Sequence, residues 1–469
     1  MNILEACESK LLFAPWFKNR ATYEAWFAFL AALFGLPMSD EQLALYKHHT
    51  GRTEAPTEAS SEAWLIVGRR GGKSFIMALI AVFLACFFDY RQYLAPGEKA
   101  TVLVIAADRR QARVIVRYVR ALLTQIPSLK LLVDRETSDT FELTNSVVIE
   151  VGTASFRSTR GYTYAAVLAD EIAFWRTDDA AEPDYAILDA IRPGMATVPT
   201  AMLLCASSPY SRKGALWDAF RRYWGKDGSS LVWKATTREM NPTVRQSVID
   251  AALERDHAVA SAEYLAEWRS DIEAFVTREV VEACVTPNVT ERPRVNGTAY
   301  SAFVDPSGGS NDSMTLAVGH REGRNAVLDA TRERKPPFSP EGVVADFSVL
   351  LKSYGIASVR GDRYAGEWPR EQFRKHGIEY RVADKPRSDL YRDLLPLLNS
   401  RTVDLLDDDK LVNQIVGLER RVARGGKESI DHGPNAHDDL ANSVAGLVEM
   451  LSPSRQAPVA YSVTFRRTF

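Results

Sequence analysis

A chain of 469 residues, 46% hydrophobic and 25% charged, has the composition of a folded globular protein and the length for two cores rather than one. Its net charge of −2 excludes a global basic field, so nucleic-acid contacts would have to come from local clusters. Cys7, Cys86, Cys205 and Cys284 are far apart with no CxxC spacing, which predicts reduced, mostly buried thiols in a cytosolic protein rather than a disulfide framework.

Residues 1–60 are predicted helical, with aromatic spacing through Trp16, Tyr23, Trp26, Phe27 and Phe34; Pro37-Met38-Ser39-Asp40 marks a turn and N-cap before another helix. Over 61–237, apolar strands near 63–67, 101–106, 147–151, 165–169, 201–206 and 231–235 alternate with helical segments, which predicts a largely parallel sheet covered on both faces. The apolar run from Phe75 to Phe88 is shorter than the roughly 20 residues of a membrane span and predicts a buried helix. Without a basic start or a cleavage site at the N-terminus, the protein is expected to be intracellular, with no membrane partner.

Residues 238–297 read as a polar, helix-rich lid or linker, with the domain boundary near 275–297. A second alternating region follows over 298–451: a hairpin from 299–304 and 314–319, strands near 325–330, 356–360 and 379–383, and helices near 340–354, 388–399, 408–418 and 436–451. Residues 452–469 read as a tail.

The strand at 63–67 opens into Gly68-Arg69-Arg70-Gly71-Gly72-Lys73-Ser74. A phosphate loop needs glycines so that backbone N–H groups can wrap the phosphates, a lysine for the β/γ charge and a hydroxyl for Mg²⁺. The loop supplies all three, although Val67 stands where the general pattern has its first glycine. The later run Ala165–Ala169 ends in Asp170-Glu171, which suits a Mg²⁺ partner followed by a carboxylate that polarises the attacking water. Charge on the γ-phosphoryl group calls for an arginine, and Arg69, Arg70, Arg157 and Arg160 are all candidates. Ser207-Ser208, at the end of the following strand, would sense the γ-phosphate. ATP with Mg²⁺ is the expected cofactor.

Two-metal phosphodiester cleavage needs three or four carboxylates around ions about 4 Å apart. Asp305 and Asp362 each end an apolar run, and Asp438-Asp439 opens an apolar helix, where either residue could also be a simple cap. Two strands and a late helix are how ribonuclease-H-like folds gather distant acids, so Asp305, Asp362 and either Asp438 or Asp439 are the expected ligands of two Mg²⁺ or Mn²⁺ ions. Asp312 is a further candidate ligand. The fold class expected is α/β, an N-terminal P-loop ATPase domain with a parallel sheet plus a C-terminal ribonuclease-H-like nuclease domain.

Taken in order, GRRGGKS, Arg160-Gly161 before LADE, CASSP, VDPSGG, GDR and HDDLANS resemble the large subunit of tailed-bacteriophage terminase over about residues 40–450. The resemblance implies a motor that drives double-stranded DNA into a procapsid and a nuclease that cuts concatemers. It implies a portal and a small subunit as partners, a homo-oligomeric ring when docked with a monomer in free solution, and a site of action in the host cytoplasm. It also implies Lys73, Ser74 and Asp170 at phosphates and Mg²⁺, Glu171 as base, Ser207-Ser208 as coupling element and Arg160 as the arginine donated to a neighbour. Asp305, Asp362 and Asp438 would be the nuclease triad, with Asp439 the rival for its last place and Gln42 a contact to adenine. An ATPase-nuclease of DNA repair or defence would use the same parts without a capsid, and a scaffold with a decayed nuclease would keep only the binding. The clusters Arg109, Arg110, Arg113, Arg117, Arg120 and Arg420, Arg421, Arg424, Lys427 are the local basic surfaces such a motor needs.

Overall fold

Once buried, an extended apolar run has to pair every backbone N–H and C=O, and the run Glu62–Val67 does so as β1 between two parallel neighbours. The computed structural model describes residues 1–154, 161–175, 183–269, 271–310, 312–362, 368–422, 428–434 and 436–452. They fall into two units, 1–273 and 274–469, with the division inside a three-residue strand, β9 (Ile272–Ala274).

In the first unit β1 belongs to an eight-stranded sheet with β2 (Ala100–Ala106), β3 (Val133–Glu136), β4 (Thr140–Leu143), β5 (Val147–Thr153), β6 (Thr163–Asp170), β7 (Met202–Ser207) and β8 (Ser230–Ala235). The order is β3-β4-β5-β2-β6-β7-β1-β8. All pairings are parallel except those of β3 with β4 and β4 with β5. The sequence patterning misses β3 and β4. Val133-Asp-Arg-Glu136 is almost wholly solvent-facing and carries no apolar alternation, so its pairing comes from the neighbouring hairpin and not from burial. The helix Lys73–Phe87 is buried along most of its length, as its apolar run predicts. Trp26, Phe27 and Phe29 of the helix Glu24–Leu33 share a core with Leu65 and Met77, so the N-terminal helices are part of this unit rather than an appendage.

The second unit centres on a six-stranded sheet of β10 (Tyr300–Asp305), β11 (Met314–Glu322), β12 (Asn325–Arg334), β13 (Ser358–Gly361), β14 (Glu379–Val382) and β15 (Val403–Asp404). Its order is β14-β13-β10-β11-β12-β15, with β10, β11 and β12 an antiparallel meander and β13 and β14 added parallel to β10. A meander extended by parallel strands on its first edge is the sheet expected of a ribonuclease-H-like domain. The last helix, Asp439–Leu451, packs on this sheet; any Cβ at Gly446 would collide with the Phe303 ring, so glycine sets how closely helix and sheet approach. β16 (Leu418–Val422) and β17 (Glu428–His432) pair antiparallel in a stretch to which the sequence patterning assigns no element. No helix among the described residues is long and apolar enough to cross a membrane. All four cysteines are free.

Candidate functional site

The first site begins where β1 ends. Gly72 has φ +103°, open to glycine at little cost, and the helix Lys73–Phe87 starts immediately after it. Its unpaired first-turn amides and roughly half a positive charge of helix dipole face the loop. Three side chains pin the loop's carbonyls and so set its peptide planes. Trp26 Nε1–H donates to Gly71 O at 2.9 Å, Thr237 Oγ1 to Arg69 O at 2.7 Å and Asn241 Nδ2 to Arg70 O at 2.9 Å.

Lys73 is buried, with Nζ donating to Val67 O at 2.9 Å and standing 3.3 Å from Glu171 Oε1. Ser74 Oγ donates to Asp170 Oδ2 at 3.1 Å, and Trp175 Nε1–H holds the Asp170 carbonyl at 2.9 Å. Burial, then the Glu171 charge, raises the Asp170 carboxyl to about 7, against the pull of Lys73. Because β7 lies between β1 and β6, Ser207 sits between the loop and the acids. Glu171 Oε2 accepts from Ser207 Oγ at 3.0 Å and from Ser208 N at 3.3 Å. Glu171 therefore joins Lys73 through one oxygen and the end of β7 through the other. Its φ of +53° is a left-handed conformation that costs a non-glycine residue on the order of 1–3 kcal/mol and aims the carboxylate into the site.

A cleft of about 620 Å³ opens over the loop, with Trp16, Phe75 and Tyr118 on one side and Arg70, Lys73 and Glu171 among its polar lining. Arg69 turns away to Glu263 at 2.7 Å. Gln42 is not among the residues lining the cleft, and its side-chain oxygen accepts from Ser39 N at 3.1 Å in a capping box at the start of the helix Asp40–Thr50. Arg157 and Arg160 lie outside the described residues. The donor set suits Mg²⁺. A hydroxyl and a carboxylate already share a contact, and the buried Asp170 Oδ1 has no hydrogen-bond partner among the described residues, leaving an oxygen lone pair for a cation.

The second site lies at one edge of the second sheet. Val304 of β10 stands opposite Gly361 of β13, so the next residues, Asp305 and Asp362, emerge side by side. Asn442 Nδ2 donates to both, at 2.8 Å to Asp305 Oδ2 and 2.7 Å to Asp362 Oδ2. Asp438 is nearly inaccessible: Arg387 Nη1 holds Oδ1 at 2.9 Å and Tyr391 OH donates to Oδ2 at 2.7 Å. Among the described residues Asp439 Oδ2 accepts only the Ser313 amide, at 3.3 Å, and its backbone carbonyl accepts from Thr315 Oγ1 at 2.7 Å.

Withdrawal from solvent raises all four carboxyls. For Asp305 the Asp362 charge adds to it and Asn442 opposes; for Asp362 Asn442 and Arg387 oppose. Arg387 opposes at Asp438, while the Asp438 charge helps take Asp439 to about 6. Neighbouring carboxylates that each resist ionisation fit divalent cations, which would restore the charged forms. Asp312 lies close enough for its charge to raise Asp439.

Asn442, Arg387, Tyr391, Thr237 and Asn241 have no role in the sequence-based reading. Asn442 had a signal: it lies three and four residues after Asp439 and Asp438, on one helical face. The rest come from distant segments with no motif.

The exposed Arg109, Arg110, Arg113 and Arg117 lie on the helix Arg109–Gln125, whereas Arg120 pairs with Glu136 at 2.5 Å. Arg420 pairs with Glu428 at 2.6 Å and Arg421 with Glu419 at 3.3 Å; Arg424 and Lys427 lie outside the described residues.

No protein-family model matches the chain, and no curated protein does. Among solved structures, it is similar to the large terminase of bacteriophage HK97, at 17% identity and TM-score 0.37 over 88% of this chain and 96% of that one. It is also similar to the large terminase nuclease of the thermophilic phage G20c, at 17% identity and TM-score 0.33 over 37% of this chain and 97% of that one. The same nuclease with bound magnesium matches at 16% identity and TM-score 0.33, over 37% of this chain and 96% of that one.

Proposed function

We propose that this chain is an ATP-driven motor that packages double-stranded viral DNA into a procapsid and cuts it with a metal-dependent nuclease. The observation that carries the reading is that one chain assembles both a phosphate loop facing Asp170 and Glu171 and a carboxylate cluster on a ribonuclease-H-like sheet, in the order of the terminase-like motifs.

In the ATPase unit, Lys73 would exchange Glu171 for the β- and γ-phosphates, with the loop amides and Arg70 bearing the remaining negative charge. Mg²⁺ held by Ser74 and Asp170 would supply further charge neutralisation there. Glu171, freed from Lys73, would take the proton of the attacking water, while its other oxygen still touches Ser207 and Ser208. Those serines thereby report to β7 whether the carboxylate faces lysine or water. Arg160 is proposed as the arginine given to a neighbouring subunit in the assembled ring.

In the nuclease unit, Asp305, Asp362 and Asp439 would hold the ions, which would supply an activated water and stabilise the leaving oxygen. Asp439 is preferred to Asp438 because both Asp438 oxygens are already engaged by Arg387 and Tyr391. Arg109, Arg110, Arg113 and Arg117 would contact DNA phosphates without reading sequence. Portal, small subunit and host cytoplasm belong to the same proposal.

The test is procapsid-dependent protection of DNA from added nuclease. Wild type is expected to protect DNA with ATP turnover stimulated by empty procapsids, and Lys73→Ala to lose both while retaining Mn²⁺-dependent plasmid cleavage. Helicase activity with no procapsid stimulation would overturn the packaging reading. Cleavage that survives in Asp305→Ala would overturn the nuclease assignment.

A further inference from the structure

Away from both sites, the helix Asp40–Thr50 ends in His48 and His49, which face Glu239 of the short helix Thr237–Met240. One ligand atom from each of the three lies within 4.8 Å of the other two. His48 Nε2 and Glu239 Oε1 are 3.0 Å apart.

The buried member decides what the group is for. His49 Nδ1 lies 3.0 Å from Lys234 O, and a carbonyl only accepts, so the ring proton is on Nδ1. Nε2 then carries a bare lone pair; it is buried, in a residue only 1% exposed, and has no hydrogen-bond partner among the described residues. Leaving such an atom unsatisfied costs about 1–3 kcal/mol unless something binds it. An imidazole with Nδ1–H on a backbone carbonyl and Nε2 free is in the tautomer and orientation typical of a metal ligand. Burial lowers the His49 pKa, keeping the ring neutral, as ligation requires. The carboxylate is held in the same way, with Thr236 N donating to Glu239 Oε2 at 2.6 Å. Burial pushes the Glu239 carboxyl up, but His48 and the Thr236 amide outweigh it and leave it below its ordinary value.

We propose that His48, His49 and Glu239 form a transition-metal site of the zinc class, with two imidazoles, one carboxylate and a fourth position for water. Imidazole ligands favour zinc-class ions over Mg²⁺, and three protein ligands plus water is a familiar zinc arrangement with bonds of roughly 2.0–2.2 Å. His48 is exposed, so its imidazole is free to turn toward the other two ligands. His48 would ligate through Nε2, in place of the proton it shares with Glu239.

The site has a consequence for the nucleotide cleft. Glu239 is flanked by Thr237 and Asn241, which hold the carbonyls of Arg69 and Arg70 in the phosphate loop. A bound ion fastens the helix Asp40–Thr50 to the segment that shapes the loop. The site stands independently of the packaging reading, since no packaging partner enters the argument.

The test uses the full chain stripped with chelator and titrated with Co²⁺. We expect a visible absorption band of low-coordinate, nitrogen-ligated Co²⁺ that saturates near one ion per chain and is bleached by Zn²⁺. His48→Ala should weaken binding at least about 100-fold, since loss of even an outer partner of a ligand costs roughly 10- to 100-fold. The thermal midpoint should rise with Zn²⁺ in Asp305→Asn, where the carboxylate cluster is weakened, but not in Asp305→Asn/His48→Ala; His48 is exposed, so its loss leaves the fold intact. Absence of the band, a band that persists in His48→Ala, or a midpoint shift that persists in Asp305→Asn/His48→Ala overturns the site.

Discussion

The two candidate sites handle charge in opposite ways. At the phosphate loop the buried lysine faces a glutamate, Lys73 on Glu171 at 3.3 Å, so that pair is balanced within itself. At the second sheet's edge Asp305, Asp362, Asp438 and Asp439 meet one guanidinium, Arg387, which Asp431 shares at 2.8 Å. Under the proposed function the first site would exchange Glu171 for phosphate at Lys73 and so act as a switch. The second gathers more carboxyls than cationic side chains, an excess that divalent cations would neutralise. An ATPase that must signal each turnover needs the former, and a nuclease that stays quiet until metal and DNA arrive is served by the latter.

Replacing Glu171 by Gln breaks the balance at its centre and carries the largest expected effect. The amide keeps the side chain's shape but cannot take a proton, so single-turnover hydrolysis should fall by about 10²–10⁴-fold. Nucleotide binding should persist or tighten, because Lys73 no longer has a carboxylate competing with phosphate. Rapid-quench hydrolysis with a parallel binding titration separates the two, and undiminished turnover would remove Glu171 as the base.

Legibility in the sequence follows the same divide. Lys73, Ser74, Asp170 and Glu171 stand in short local motifs, and the parallel strands that carry them are buried apolar runs, so chemistry and scaffold show in one pattern. The acids of the second unit also end strands or open a helix, and their register follows from β10 beside β13. What the pattern does not carry is the support around them. Arg387 and Tyr391 reach Asp438 from a helix about fifty residues earlier, and Thr237 and Asn241 reach the loop from about 170 residues later. Such contacts are made by tertiary folding and leave no local period. Gln42, placed by its sequence distance as a contact to adenine, has its side-chain oxygen in the cap of its own helix.

Asn442 sharpens the comparison from the side of the carboxyl excess. Its amide is the neutral bridge between Asp305 and Asp362, and Asn442→Ala leaves the two carboxylates facing each other with no donor between them. As a positioning residue it should cost roughly 10- to 100-fold in cleavage, seen mainly as a weaker apparent affinity for Mn²⁺ that added metal recovers in part. A loss that no metal concentration relieves, with metal affinity unchanged, would instead place Asn442 against the DNA.

Ser207→Ala probes the balanced site most gently. The hydroxyl gives Glu171 Oε2 one hydrogen bond at 3.0 Å, and the Ser208 amide remains on the same oxygen at 3.3 Å, so the carboxylate is not orphaned. The loss should lie near the low end for bonds to charged groups, about 1.5 kcal/mol, or roughly tenfold in turnover. A serine that only orients Glu171 would lower hydrolysis and packaging together. If Ser207 couples the carboxylate's state to β7, packaging should fall further than hydrolysis, and more ATP would be spent per length of DNA protected. The ratio of the two rates, measured on one preparation with empty procapsids, separates these outcomes, and a ratio equal to wild type would leave Ser207 an orienting residue with no part in coupling.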